Sequence, residues 1–188
     1  MRKVVAKLKL GNKSEFVRML SEIGMDFGGV YYEHDRVYLP RGYKRGANFP
    51  RLIVRTEMTA VDKPAKYYLI LRRHIEDSGV DVVNMTSVGD YTEAVRIAHQ
   101  LGFEGQVEVS RQRQELVMGE SVKIYLDKVE GLMGYFAKIE SVVDEGESVS
   151  SAKEDLMKTF EVLGEKRERA VEKTYAEIVE EEKEVLQG

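Results

Sequence analysis

Apolar and polar residues alternate with a period of two along most of the first 143 residues, as expected of strands with one buried face. Breaks rich in glycine and polar residues divide this rhythm into predicted strands at 2–10, 30–39, 51–58, 66–73, 80–88, 106–118, 121–129 and 135–143. Two stretches depart from it. Asn12 and Asp90 each precede a glutamate three residues on, Glu15 and Glu93, the pattern of a capping box. Phe16, Met19, Leu20 and Ile23 then recur at helical spacing, as do Ala94, Ile97, Ala98 and Leu101, and Gly24 and Gly102 suit a left-handed helix end. These helices begin 78 residues apart and each sits between strands, which predicts two similar β-α-β halves, 2–79 and 80–145.

After Gly146 the period becomes helical. Ser150 or Ser151 caps a helix bearing Leu156, Phe160 and Leu163 that ends at Gly164. A second helix carries Ala170, Val171, Thr174, Ile178 and Val179. The C-terminal helices thus span 150–179, ahead of an acidic tail at 180–188. All strand connections are short or hairpin-like, so the sheet is expected to be mainly antiparallel and the fold α+β.

Side chains alternate faces along a strand, so one position fixes the rest. In the first strand Val4, Ala6, Leu8 and Leu10 share one face, and Lys3, Val5, Lys7 and Lys9 share the other. Leu52 and Val54 oppose Arg51, Arg55 and Glu57, while Arg72 falls on the face of Lys66, Tyr68 and Ile70. Arg111, Arg113 and Glu115 follow Val107 and Val109 on one face, and the last hairpin adds Lys123, Asp127, Lys138 and Glu140. A solvated face would show this much charge. The clustering of Lys7, Lys9, Arg55, Arg72, Arg111 and Arg113, with few carboxylates set against them, points instead to a concave site for a polyphosphate.

Composition changes the picture in two places. The net charge of −4 divides unevenly: residues 141–188 hold 14 acids against 7 bases, and residues 1–140 hold 19 against 22. An acidic helical end therefore follows a mildly basic body. There is no cysteine, which excludes a disulfide scaffold and any thiolate metal site. No leader-like or membrane-spanning apolar run occurs, so a cytoplasmic location is expected. His34, His74 and His99 lack metal-ligand spacing, and neither a P-loop nor a dinucleotide fingerprint is found. Loop 41–51 carries Arg41, Lys44, Arg45 and Arg51 with Tyr43 and Phe49 interleaved, chemistry that also suits stacking on single-stranded RNA.

The segment IYLDKVEGLMGYFAKIE resembles the I-x-L-D-x-V-x-G-L-G-x-F-x-E-I-E signature of the CYTH superfamily, which includes class IV adenylyl cyclases and thiamine and inorganic triphosphatases. VSRQRQEL resembles that family's K-x-R strand, VYLP with RLIVR its Y-[FL]-x-P and L-R-I-R pair, and KTYAEIV its C-terminal S-Y-x-E-L-L. The resemblance implies an antiparallel eight-stranded closed barrel, the triphosphate tunnel, with helices packed outside over 1–179. It places Lys7, Arg55, Arg72, Arg111 and Arg113 at phosphate-binding positions, Lys173 as a looser match, and Asp127 and Glu140 at acidic positions that hold Mg²⁺ or Mn²⁺. The departures fall mainly on the acidic half, and the cationic half is largely kept. The first-strand E-x-E is replaced by Lys3 and Val5, the first arginine of L-R-I-R by Ile53, and the first glutamate of E-I-E by Lys138. The R-x-E pattern near Val82–Asn84 is missing, and Met133 is inserted in the glycine turn.

The expected ligand is a triphosphate-containing small molecule held in a cationic tunnel. Metal-dependent phosphohydrolase or adenylyl cyclase activity is one expectation, and a catalytically reduced polyphosphate- or nucleotide-binding module is the alternative. A nucleic-acid partner using loop 41–51 ranks behind both, no membrane partner is expected, and homodimerisation is left open.

Overall fold

A computed structural model describes residues 2–43, 49–59, 63–75 and 80–187. Lys44 and Arg45 of the basic loop lie outside the described residues. The element order is β1 (Arg2–Lys9), α1 (Lys13–Glu22), β2 (Tyr31–Pro40), β3 (Arg51–Met58), β4 (Lys66–Ile75), β5 (Val80–Val88), α2 (Tyr91–Gln100), β6 (Phe103–Met118), β7 (Val122–Val129), β8 (Phe136–Val142), α3 (Val149–Val162) and α4 (Tyr175–Gln187). A single 3₁₀ turn, Arg167–Arg169, precedes α4.

The strands close into a ring in the order β1-β5-β4-β3-β2-β6-β7-β8, with every neighbouring pair antiparallel. Closure turns one face of each strand outward under helices and the other into a tunnel. The outward face of β1, Val4, Ala6 and Leu8, is buried with Phe16 and Leu20 of α1 and Leu156 and Phe160 of α3. Leu52 and Val54 of β3 are buried with Ala94 and Ala98 of α2. The strand faces therefore divide as the alternation predicts. No described helix is long and apolar enough to cross a membrane.

Register reveals a pseudo-twofold relation. Lys3 faces Asp81 across β1–β5 and Glu33 faces Arg111 across β2–β6, each residue meeting the one 78 positions further along. About each pair the register is symmetric: Arg2 faces Val82 as Val4 faces Val80, and Tyr31 faces Arg113 as Asp35 faces Val109. The two β-α-β units thus pair like strand with like strand.

Local chemistry explains the helix ends. Asn12 Oδ1 accepts from the amides of Ser14 and Glu15 at 3.0 and 3.2 Å, and Asp90 Oδ1 accepts from Glu93 at 2.9 Å. The cap of α3 is Ser148 rather than Ser150 or Ser151; its extended backbone lets Oγ accept from the Ser151 amide at 3.3 Å, and the helix starts two residues earlier. The last helix begins later than its apolar periodicity suggests. Ala170 bridges Leu8 and the Val171 amide donates to the Lys7 carbonyl at 2.8 Å, so these residues are spent as an extra edge on β1. Only at Thr174 does a reciprocal capping box form, Glu177 Oε2 accepting from the Thr174 amide at 2.7 Å and Thr174 Oγ1 from the Glu177 amide at 3.3 Å. The helix then continues through the acidic segment to Gln187.

Candidate functional site

The tunnel contains two chambers of about 600 and 230 Å³. Arg55, Arg72, Asp81, Arg113 and Lys138 line both, forming a charged waist between them. Beyond the waist the larger chamber runs under the segment 170–177 and α4, and the smaller one opens past Tyr31, Tyr68, Tyr125 and Met85. Val107, Val109 and Phe136 on the inner face of the ring are buried against Tyr175 and Val179 of α4. These apolar positions, which break the charged pattern of β6, seat the C-terminal helix.

The buried arginines are not without acids. Arg55 forms a two-point pair with Asp35, at 2.6 and 2.8 Å, and reaches Glu33 at 2.9 Å. Arg111 donates to Glu33 from Nε at 2.7 Å and to Asp35 from Nη2 at 2.8 Å. Arg113 grips Asp127 through Nε and Nη2, at 2.6 and 2.7 Å, and touches Glu33 at 3.1 Å. Arg72 pairs with Asp81, which His74 also meets at 3.1 Å. The expectation of few opposing carboxylates is thus corrected by Glu33 and Asp35 on β2 and Asp81 on β5. Burial alone would push these carboxyls up. The arginines override it, holding Glu33, Asp35, Asp81 and Asp127 below the usual carboxylate range. The same two-residue alternation along Tyr31–Val37 sets Glu33 and Asp35 on one face of β2.

Asp127 has no exposed surface, and its Oδ2 also accepts from the Tyr175 hydroxyl at 2.8 Å. Glu140 lies between Lys3, at 2.9 Å, and Lys138; the two lysines hold its carboxyl well below the usual range against the upward push of burial. Both lysines stand where the resemblance expects glutamates. The β7–β8 register sets Glu140 opposite Lys123, four residues from Asp127, or about 13 Å along the strand. The two carboxylates named for a divalent ion therefore do not converge, and each is already neutralised by cations. Among the described residues no group of three potential ligands comes together. This donor set does not fit Mg²⁺ or Mn²⁺.

Lys7 is the exception to the pairing. It is buried in the larger chamber, donates to the Lys173 carbonyl and lies 4.4 Å over the Tyr175 ring, with no carboxylate pair among the described residues. Burial, helped by Lys138 and Arg72, lowers its pKa from the ordinary 10.5 to about 7. Lys138 is lowered to about 8 by burial, with Arg113 and Arg72 opposing the pull of Glu140. Of the other expected cations, Lys173 sits half-exposed at the mouth, paired with Glu181 at 2.8 Å. Lys9 is exposed at the end of β1 and lines neither chamber.

The CYTH domain profile matches residues 51–175, two thirds of the chain and most of this ring. The chain belongs to the CYTH family. Solved structures of similar shape agree with that placement. The PH1819 protein of Pyrococcus horikoshii superposes with a TM-score of 0.80 at 21% identity, covering 95% of this chain and 98% of its own. A candidate adenylate cyclase from Vibrio parahaemolyticus gives 0.75 at 18% identity, over 99% and 98%. A Hippeastrum protein reported to have a dominant triphosphatase activity gives 0.54 at 17%, over 86% and 89%. At these identities the likeness is one of fold. No curated protein matches the sequence. The CYTH assignment makes the tunnel the place to look for function.

Proposed function

We propose that the tunnel binds a triphosphate-containing ligand without needing a divalent ion, its phosphates meeting Lys7, Arg72 and Lys138 around the waist. The observation that carries this reading is Lys7. An ammonium taken out of water without a counter-ion is costly, and its depressed pKa expresses that cost. A phosphate chain in the larger chamber supplies the missing negative charge. Arg55, Arg111 and Arg113 form the wall behind it, already balanced by Glu33, Asp35 and Asp127. Metal-dependent hydrolysis or cyclisation is the competing reading, favoured by the family and opposed by the commitment of each candidate carboxylate to a cation.

Phosphorus NMR of inorganic triphosphate and of ATP, with Mg²⁺ and with chelator, separates the two. Shifted resonances with no cleavage, equal in chelator, are expected. Turnover that stops in chelator would show that ligand binding frees carboxylates for metal, and would overturn the metal-free reading.

A further inference from the structure

Lys7 and Lys138 stand directly opposite each other in the antiparallel register of β1 and β8, and both line the larger chamber. Two ammonium groups opposed on paired strands repel, the more so where water is scarce. Lys138 is relieved by its pairing with Glu140. Lys7 has no carboxylate pair among the described residues. Its Nζ donates to the Lys173 carbonyl and lies over the Tyr175 ring, and neither carries a full countercharge. The acids that reach it through space are already committed, Glu177 to Arg51 at 2.6 Å and Asp127 to Arg113 at 2.6 Å. Burial, then Lys138 and Arg72, bring the amine to a pKa of about 7, so its free base dominates just above neutral pH. A neutral, desolvated amine beside other cations, facing a chamber of about 600 Å³, is a nucleophile with room for a small electrophile.

We propose that Lys7 captures dissolved carbon dioxide as a carbamate. The Nζ lone pair forms a bond to the carbon of CO₂, one C=O π bond passes its electrons to oxygen, and the nitrogen releases a proton to water. Nothing is oxidised or reduced, and no cofactor is needed. The product is an anion at the one point of the waist where a cation stands without an acid. Lys138 across the strand pair and Arg72 then face a negative group in place of another positive one, so the charges that drive the proton off Lys7 also hold the carbamate. A lysine in water keeps its proton near neutral pH, which makes the reaction selective for this site. Carbamate formation needs only the surroundings of Lys7. Its consequence for the ligand rests on the triphosphate reading: the carbamate removes a cation that reading assigns to phosphate, so CO₂ and triphosphate compete.

The test is carbon-13 NMR of the full chain in labelled bicarbonate at pH 8, for the native protein and for Lys7→Met. The α-amino group, with an ordinary pKa of about 8, also forms a carbamate and supplies a reference resonance in both. The native protein should show a further carbamate resonance that is lost in Lys7→Met. Alkylating the carbamate to a stable ester and sequencing the peptides by mass spectrometry reads the site in the native protein alone, and should place the added mass on Lys7. No further resonance, a further resonance that persists in Lys7→Met, or an ester found only on other amines overturns the proposal. Saturating inorganic triphosphate should abolish the Lys7 resonance. A resonance that survives while triphosphate binds overturns the competition and places the phosphates away from Lys7, whereas a protein that forms the carbamate and binds no triphosphate overturns the triphosphate reading alone.

Discussion

Replacing Asp127 by asparagine keeps the shape of the side chain and removes one buried charge. In the native protein both carboxylate oxygens are held by Arg113, at 2.6 and 2.7 Å, and one also accepts from Tyr175 at 2.8 Å. Breaking such a buried pair costs about 3–5 kcal/mol, because the surviving charge stays desolvated. Arg113 keeps Glu33 at 3.1 Å, which places the expected loss at the lower end, about 3 kcal/mol. For a chain of 188 residues each kcal/mol moves Tm by about 2–4 °C, so Asp127→Asn should melt about 6–12 °C lower. Differential scanning calorimetry at pH 7 reads this directly. The sign of the pH dependence follows from the lowered pKa of Asp127. Its stabilisation is present above the unfolded value, about 3.9, and is lost as the pH falls through the lower folded value, so native and variant curves should converge in acid. Adding Arg113→Met removes the orphaned charge and should recover part of the loss. A Tm shift below about 2 °C in the single variant would refute the view that this pair is a buried, committed contact.

Lys7 predicts the same sign of pH dependence in a higher window, since its folded pKa of about 7 also lies below the unfolded value. Native stability should rise between pH 7 and 10, where the unfolded chain binds the extra proton, and Lys7→Met should flatten that slope; parallel urea-melt profiles would contradict it. Triphosphate binding at pH 8 should draw in about one proton as phosphate charge restores Lys7 and Lys138, read by calorimetry in two buffers of different ionisation enthalpy. Zero uptake would place the phosphates elsewhere. Phe160, 1% exposed between α3 and the ring, should cost about 3–5 kcal/mol when cut to alanine, and a urea-measured loss below about 1 kcal/mol would undo the packing assignment.

The segment 170–174 shows where local pattern misleads. Ala170, Val171 and Thr174 fit a helical stripe, yet the Lys7 carbonyl at the edge of β1 takes the Val171 amide, and the helix waits for the Thr174–Glu177 box. A hydrogen bond to a strand more than 160 residues away outweighs local spacing. The 78-residue offset is itself informative: it makes Glu33 the register partner of Arg111, so that buried ion pair is written in the offset, whereas Lys3 faces Asp81 in register yet pairs with Glu140.

What the sequence by itself determined was the set of strands and which residues of each share a face, because two-residue alternation is a property of extended backbone. That Lys7, Arg55, Arg72, Arg111, Arg113, Asp127 and Glu140 lie on the charged faces follows from it, whereas the inward turn of those faces was implied by the clustering of cations and the family resemblance. What only the tertiary structure decided was which charges meet. Ring order sets β2 between β3 and β6, bringing Glu33 and Asp35 onto Arg55 and Arg111, and closure of β1 onto β8 brings Lys3 to Glu140. The physical reason is distance and solvent. On an open sheet these side chains would be screened by water, whereas inside a closed ring a contact of 3 Å in a poorly solvated interior decides whether a carboxylate is free for an ion or already spent.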